Sequence, residues 1–211
     1  MLKSELLTLS EVNELEKEAY KNWNKTREAV WVGFEHKKKH PIGIIQKTAK
    51  KIIDSMANDF GKEIKYEYGL EFWININKQQ GLHCDCDETL RKKAGVMRYP
   101  ICSSVYYLKV PLEGGDLVIH ERASHETINK IYTSKSTNYA LGRSINIKPQ
   151  FNQLVIFEPK RPHYVEPWKF NAERISIAAN LWAEKPADSK RPFEKVIKQL
   201  QAENRAQCDR K

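Results

Sequence analysis

The chain has 211 residues, of which 40% are hydrophobic and 30% charged, and its formal net charge is +9 at pH 7. This length is that of one ordinary domain with its own core, and no run of about 18 apolar residues is present to cross a membrane. The four cysteines are too few and too irregularly spaced for a disulfide framework, so we expect reduced thiols in a single-domain, cytoplasmic protein. The positive charge weakly favours an anionic partner or substrate.

Residues 1–68 carry two amphipathic helical patterns. Thr8 and Glu11 are spaced as a capping box before the first helix, and Gly61 follows the second. Because an amphipathic helix needs a surface to cover, both are predicted to support the part of the chain that follows. The apolar positions are Val12, Leu15, Ala19 and Trp23 in the first helix, and Ile45, Ala49, Ile52, Ile53, Met56 and Phe60 in the second.

Residues 69–182 change from a helical to a strand-like hydrophobic period. Eight short strands are predicted there, and their number behind N-terminal helices is typical of an α+β protein with a sheet sandwich or small barrel. The candidates are LEFWININ, GLHCD, SSVYYLKV, GDLVIH, INIKP, NQLVIFE, HYVEPW and ERISIAANLW.

Two connections, residues 87–101 and 121–144, are longer than strand geometry requires. Long loops at the mouth of a β scaffold commonly carry substrate contacts. Residues 183–211 are predicted to return to a helix with a basic end, because Pro192 suits a first helical position and apolar residues then recur at helical spacing.

The stretch GLHCDCDE, residues 81–88, places one histidine, two cysteines and three acidic residues directly after the first predicted strand. On an extended backbone, His83 and Asp85 project to the same side. Alone, such a pair is more typical of a hydrogen-bonded loop anchor. His163, which opens the predicted strand HYVEPW, would complete two imidazoles and one carboxylate, a set that suits Fe(II). His120 has no carboxylate partner at a suitable spacing, so we expect it in a loop or at the surface.

Arg174 follows His163 by eleven residues, and Ser176 comes two residues later on the same predicted strand face. An arginine fixed inside a barrel is costly unless an anion meets it. A small dicarboxylate would meet that need, with one end bound by both arms of the guanidinium.

In their order and spacing, these motifs resemble the Fe(II)- and 2-oxoglutarate-dependent dioxygenases, within the prolyl hydroxylase-like branch. The resemblance covers about residues 69–182. It implies a double-stranded β-helix, the distorted jelly roll also seen in cupins, with N-terminal helices behind it and a C-terminal helix after it. The motifs are H-x-D at His83 and Asp85, VYYL at 105–108, GGDLVI at 114–119, FNQLVIF before His163, and R-x-S at Arg174 and Ser176.

The resemblance also implies an activity and its cofactors. The enzyme would hydroxylate a C–H bond of a protein or peptide side chain, an amino acid or a small metabolite, and would convert 2-oxoglutarate and dioxygen to succinate and carbon dioxide. Three protein ligands leave three positions on Fe(II) free, two for 2-oxoglutarate and one for dioxygen. The implied iron ligands are His83, Asp85 and His163, and the implied 2-oxoglutarate residues are Arg174, Ser176 and Tyr107.

Two other functions stay open. The extended motif through Asp87 and Glu88 also occurs in AlkB-like nucleic-acid demethylases, a class that the basic charge supports. The chain departs from that class downstream, because Ser176 and Asn180 stand where it has an asparagine and a second arginine. The other alternative is a catalytically silent, cupin-like binding module, against which the intact set of ligands argues.

Five residues are candidates for substrate contact. Trp73 and Asn75 alternate toward one face of the strand that precedes the motif, while Asp87, Glu88 and Arg91 follow it. A core position is the competing interpretation for Trp73. For the two acidic residues the competing interpretation is a salt bridge with Arg91 or a neighbouring lysine.

Overall fold

The computed structural model of the protein describes residues 1–23, 29–33, 43–60, 69–121, 123–133, 139, 141–169 and 172–187. Four α-helices lie in these ranges: α1 (Leu9–Glu18), which continues as a π-helix over Ala19–Trp23, α2 (Ile44–Phe60), α3 (Glu88–Ala94) and α4 (His125–Thr133). The strands are β1 (Leu2–Ser4), β2 (Val30–Gly33), β3 (Gly69–Ile76), β4 (Cys102–Lys109), β5 (Leu117–His120), β6 (Ser144–Ile147), β7 (Gln153–Phe157), β8 (His163–Val165) and β9 (Ile175–Trp182).

The strands form two antiparallel sheets. The larger has the order β1-β7-β4-β9-β3-β2, and the smaller has the order β6-β5-β8. This arrangement, with helices on one side, confirms the predicted α+β double-stranded β-helix. The predicted strand GLHCD is wrong, because only His83 pairs there, in an isolated bridge with His163. The edge strands β1 and β2 were not predicted; they have three and four residues, too few to show a period.

Both predicted N-terminal helices are confirmed. Thr8 and Glu11 form the expected capping box, in which the amide N–H of each donates to the side chain of the other over 2.8 and 3.3 Å. Gly61 and the predicted C-terminal helix lie outside the described residues. The buried apolar positions are Val12, Leu15 and Ala19 of the first helical segment and Ile45, Ala49, Ile52, Ile53 and Met56 of α2.

The larger sheet has two distinct faces, since successive side chains of a strand point to opposite sides. The outer face packs on α1 and α2 and includes Phe72, Tyr106 and Ile177. The inner face is opposite, and Tyr107 and Val155 on it pack with residues of β5 in the smaller sheet. This inner face is where the predicted site residues of β4 and β9 lie.

Within the described part of the chain, no helix combines the length and the apolar character needed to span a membrane.

Candidate active site

Three side chains, His83, Asp85 and His163, meet where the loop after β3 touches β8; we call them the ligand triad. The bridge between the histidines fixes their backbones, since each amide N–H donates to the other carbonyl over 3.0 and 2.8 Å. Asp85 Oδ1 lies 3.7 Å from His83 Nε2, and Asp85 Oδ2 lies 3.6 Å from His163 Nε2. One ligand atom from each residue lies within 4.8 Å of the other two, which is close enough for one metal ion.

Backbone carbonyls select the tautomer of both histidines. His83 Nδ1 lies 2.7 Å from the carbonyl oxygen of Gly81, and His163 Nδ1 lies 2.9 Å from that of Arg161. A carbonyl can only accept, so each Nδ1 carries the proton and each Nε2 keeps its lone pair. Both Nε2 atoms are the ones nearest Asp85, so all three residues present donor atoms to the same point, as metal-binding histidines do.

Burial keeps the imidazole of His163 in the neutral form that can bind a metal. The side chain is almost wholly enclosed, and the resulting desolvation lowers the pKa of His163 below its ordinary value, although the Asp85 carboxylate opposes this change. The neighbouring His83 lowers the pKa of His163 further. The imidazole is therefore neutral at pH 7, and a metal would not have to displace a proton from it.

This lowered pKa predicts a pH dependence for the metal-free protein. The unfolded chain binds a proton on His163 near the ordinary value of 6.5, whereas the folded chain does so only at lower pH. The unfolded state therefore gains protons first, and the free energy of unfolding should decrease as the pH falls below about 6.5. Melting temperatures of the metal-free protein between pH 7.5 and 5.5 measure this effect. His163→Gln should flatten the profile, and an unchanged profile in that variant would contradict the assignment.

A second group of side chains surrounds Arg174 on the inner face; we call it the carboxylate pocket. Arg174 is 2% exposed, and its Nη1 donates to Ser176 Oγ over 2.9 Å. The guanidinium carbon lies 5.3 Å from the ring centre of Tyr107 and 5.6 Å from that of Trp168. Arg174 Nε and Nη2, the Tyr107 hydroxyl and Gln153 Oε1 are buried without hydrogen-bond partners. A buried cation whose nitrogens have no acceptors is unfavourable, so an anion is expected to bind beside Arg174.

The unused donors fit the distal carboxylate of 2-oxoglutarate. Two guanidinium nitrogens and one phenol hydroxyl can donate to the lone pairs of a carboxylate, and an arginine fork matches its planar geometry. Burial raises the pKa of Tyr107 to about 12, so the hydroxyl is protonated at pH 7 and can donate. Gly115 leaves room for this arrangement, because a Cβ there would lie 3.3 Å from Arg174 Cδ.

Strand register explains why these residues meet. Asn75, Ser176, Tyr107 and Gln153 are successive partners across β3, β9, β4 and β7, so they form one row on the inner face. Trp73 belongs to the next row, opposite Ala178. The predicted Trp73 and Asn75 thus line the inner face beside the carboxylate pocket, and their contact with a substrate stays a prediction.

The triad and the carboxylate pocket lie near opposite ends of the same inner face. Phe157, on the inner face of β7, packs its ring edge against His163 with 4.8 Å between ring centres. Gln153 lies four residues earlier on β7, about 13 Å away along the strand. The apolar residues of the inner cluster lie between these ends, so an elongated dicarboxylate would lie along a dry wall formed by Leu117, Ile119 and Val155.

The acidic residues after the triad are engaged in local structure. Asp87 caps α3, accepting from the amides of Leu90 and Ala187, each over 3.0 Å, and from Arg98 Nη2 over 2.5 Å. Its ion-pair partner is Arg98, which corrects the expected pairing with Arg91 or the adjacent lysines. These contacts engage both carboxylate oxygens of Asp87 and favour a structural role over the predicted substrate contact.

Glu88 and Arg91 pair with each other, as the competing interpretation expected. Arg91 Nη2 lies 2.6 Å from Glu88 Oε2, and Arg91 Nε lies 3.3 Å from Glu88 Oε1. Arg91 also lies over the ring of Tyr132, a residue of α4, at 4.3 Å from its centre.

Gln153, Trp168 and Tyr132 are site residues that sequence reasoning missed. Gln153 could have been identified from the sequence, because it is a polar residue at the start of the apolar strand QLVIF.

The sequence matches the profile of a family described as "Putative 2OG-Fe(II) oxygenase" over residues 96–180. The match includes His163, Arg174 and Ser176 and begins after His83 and Asp85. No curated protein matches the chain.

Several solved structures have the same fold at low sequence identity. A Pseudomonas putida prolyl-4-hydroxylase is 16% identical with a TM-score of 0.52, covering 88% of this chain and 87% of that one. The alpha ketoglutarate dependent epimerase SnoN from nogalamycin biosynthesis is 13% identical with a TM-score of 0.57, covering 86% and 77%. HygX from Streptomyces hygroscopicus, solved with nickel and 2-oxoglutarate bound, is 9% identical with a TM-score of 0.52, covering 91% and 89%.

The chain resembles the Fe(II)- and 2-oxoglutarate-dependent oxygenases in sequence over residues 96–180 and has the fold seen in their prolyl hydroxylase-like branch. It is an enzyme of the dioxygenase class, whose cofactors are Fe(II) and 2-oxoglutarate.

Proposed function

We propose that the protein hydroxylates a C–H bond of a peptide side chain, an amino acid or a small metabolite, with iron held by the ligand triad and 2-oxoglutarate held in the carboxylate pocket. The observation that carries this proposal is the presence of two incomplete sites near opposite ends of one inner face. The triad offers three donor atoms within 4.8 Å, and the carboxylate pocket offers a buried cation with two unused nitrogens.

Each side chain has a distinct role in this proposal. His83, Asp85 and His163 orient the metal, with the two imidazoles held by backbone carbonyls. Arg174 and its neighbours fix the far end of 2-oxoglutarate, and the apolar inner wall excludes water. Bound iron and 2-oxoglutarate supply the oxidising chemistry, with release of succinate and carbon dioxide. No general base is needed for this reaction.

Prolyl side chains in peptides are the first substrates to test, because a prolyl-4-hydroxylase shares this fold. Free amino acids and methylated single-stranded DNA or RNA complete the panel. The purified protein with Fe(II), 2-oxoglutarate and oxygen should release succinate, and one member of the panel should gain one oxygen atom in mass. His83→Ala should abolish succinate release, because one of three ligands is lost.

His120→Ala is the matched control for that substitution. His120 lies on β5 one residue after Ile119, the cross-strand partner of His163, and so points to the opposite face. Its loss should leave succinate release unchanged. Formaldehyde from the methylated nucleic acid would instead support the demethylase alternative. Binding of iron and 2-oxoglutarate without succinate release under any condition would support the silent binding module.

A further inference from the structure

The segment between β5 and β6 reaches back to the ligand triad through one hydroxyl. Tyr132, near the end of α4, accepts a hydrogen bond from the Cys84 amide over 2.9 Å. The same hydroxyl donates a short hydrogen bond to the Cys84 carbonyl. Cys84 lies between two ligands, so one side chain holds both peptide units that join His83 to Asp85.

Among the described residues, no strand pairs with the backbone of Cys84. The flanking residues have backbone partners elsewhere. His83 exchanges two hydrogen bonds with His163, and the Asp85 amide donates to the carbonyl of Pro159. Cys84 is 2% exposed, so its backbone groups are away from water. Without the Tyr132 hydroxyl, one buried donor and one buried acceptor would have no side-chain partner, which is costly enough to move the backbone.

Tyr132 is itself held in place. The Arg91 guanidinium lies 4.3 Å from the centre of its ring, and both arms of Arg91 reach the Glu88 carboxylate. A cation over an aromatic face is attractive, and the ion pair restrains the cation. Burial raises the pKa of Tyr132 above its ordinary value, so the hydroxyl remains protonated and able to donate.

We propose that Tyr132 is a positioning residue for the metal centre, which fixes the separation of His83 and Asp85 by clamping the peptide units on either side of Cys84. This inference rests on the proposed metal site. It gives α4, which lies between β5 and β6, a role, because this helix carries the hydroxyl that completes the ligand loop. It also gives Arg91 and Glu88 a role as supports of that hydroxyl.

The test compares Tyr132→Phe with Tyr106→Phe. Tyr106 lies on the outer face of β4, where its hydroxyl donates to Asn152 Oδ1 over 2.9 Å, so this control also removes one hydroxyl from a hydrogen bond. Mn(II) is titrated into the metal-free protein with 2-oxoglutarate, and the free ion is followed by electron paramagnetic resonance. Tyr132→Phe should weaken Mn(II) binding about tenfold, the lower end of the range for residues that support metal ligands. Tyr106→Phe should lower the melting temperature and leave Mn(II) affinity unchanged.

Arg91→Met provides a second variant that keeps the hydroxyl but frees the ring, and it should weaken Mn(II) binding by a smaller factor. Wild-type affinity in both Tyr132→Phe and Arg91→Met would overturn the proposal. An equal loss of affinity in Tyr106→Phe would also overturn it, because general destabilisation would then suffice. Failure of the wild-type protein to bind Mn(II) would overturn the proposed function itself, so the two failures are distinguishable.

Discussion

Arg174→Met is expected to weaken 2-oxoglutarate binding strongly without destabilising the metal-free fold. The guanidinium supplies the positive charge of the carboxylate pocket, and its Nε and Nη2 are buried without hydrogen-bond partners. Loss of a desolvated, bidentate contact to a carboxylate should weaken 2-oxoglutarate binding about 100-fold, or ~3 kcal/mol. Because an unpaired buried charge is itself unfavourable, a methionine of similar length should leave the melting temperature unchanged or raised.

Two measurements separate these effects. Calorimetric titration with 2-oxoglutarate gives the affinity, and thermal unfolding without ligand gives the stability. Ser176→Ala serves as a graded control, since it removes one hydroxyl next to Nη1 and leaves the charge in place; its loss of affinity should be about tenfold or less. Arg174→Met that binds 2-oxoglutarate as tightly as the wild type would contradict the assignment of the carboxylate pocket.

Asp85→Asn is expected to remove metal binding and turnover together. Asp85 is the one anionic member of the ligand triad, and its two oxygens lie 3.7 and 3.6 Å from the two Nε2 atoms. An amide of the same shape keeps the packing but lacks the charge that attracts a divalent cation. We expect metal affinity to fall at least about 100-fold, with succinate release at background.

The matched control for the charge change is Asp54→Asn, on the exposed side of α2, where Asp54 pairs with Lys50 over 2.6 Å. That surface pair should have little influence on stability or on metal binding. Equilibrium titration with Mn(II) compares the two variants. Retained affinity in Asp85→Asn would remove this residue from the ligand set.

The chemistry of the site was readable from residue types, whereas its local geometry was not. The order of His83, Asp85, His163, Arg174 and Ser176 in the sequence was sufficient to predict the ligand triad and the carboxylate pocket, because few functions need these residue types in that order. The carbonyls that select the histidine tautomers could not be predicted, since every residue has a carbonyl and only the fold decides which one is near. Trp168 joins the carboxylate pocket only through tertiary contacts.

The errors in secondary structure have the same physical origin. The segment GLHCD has strand-like alternation, yet the chain turns first at Asn77, which has a φ of +51°, and only His83 forms a β-bridge with another segment. The helix α3 has seven residues, but its ends were marked in the sequence by Asp87 as N-cap and Gly95 at a φ of +66°. Single-domain organisation and cytoplasmic location stay predictions.

The proposed arrangement is a metal ion held by three side chains and a dicarboxylate held by a buried arginine. A crystal structure of the protein grown without oxygen, with Mn(II) and 2-oxoglutarate, tests it most directly. We expect metal bonds from His83 Nε2, His163 Nε2 and an Asp85 oxygen, with the distal carboxylate on Arg174 Nε and Nη2. A metal bound elsewhere, or a 2-oxoglutarate whose carboxylates both avoid Arg174, would contradict it.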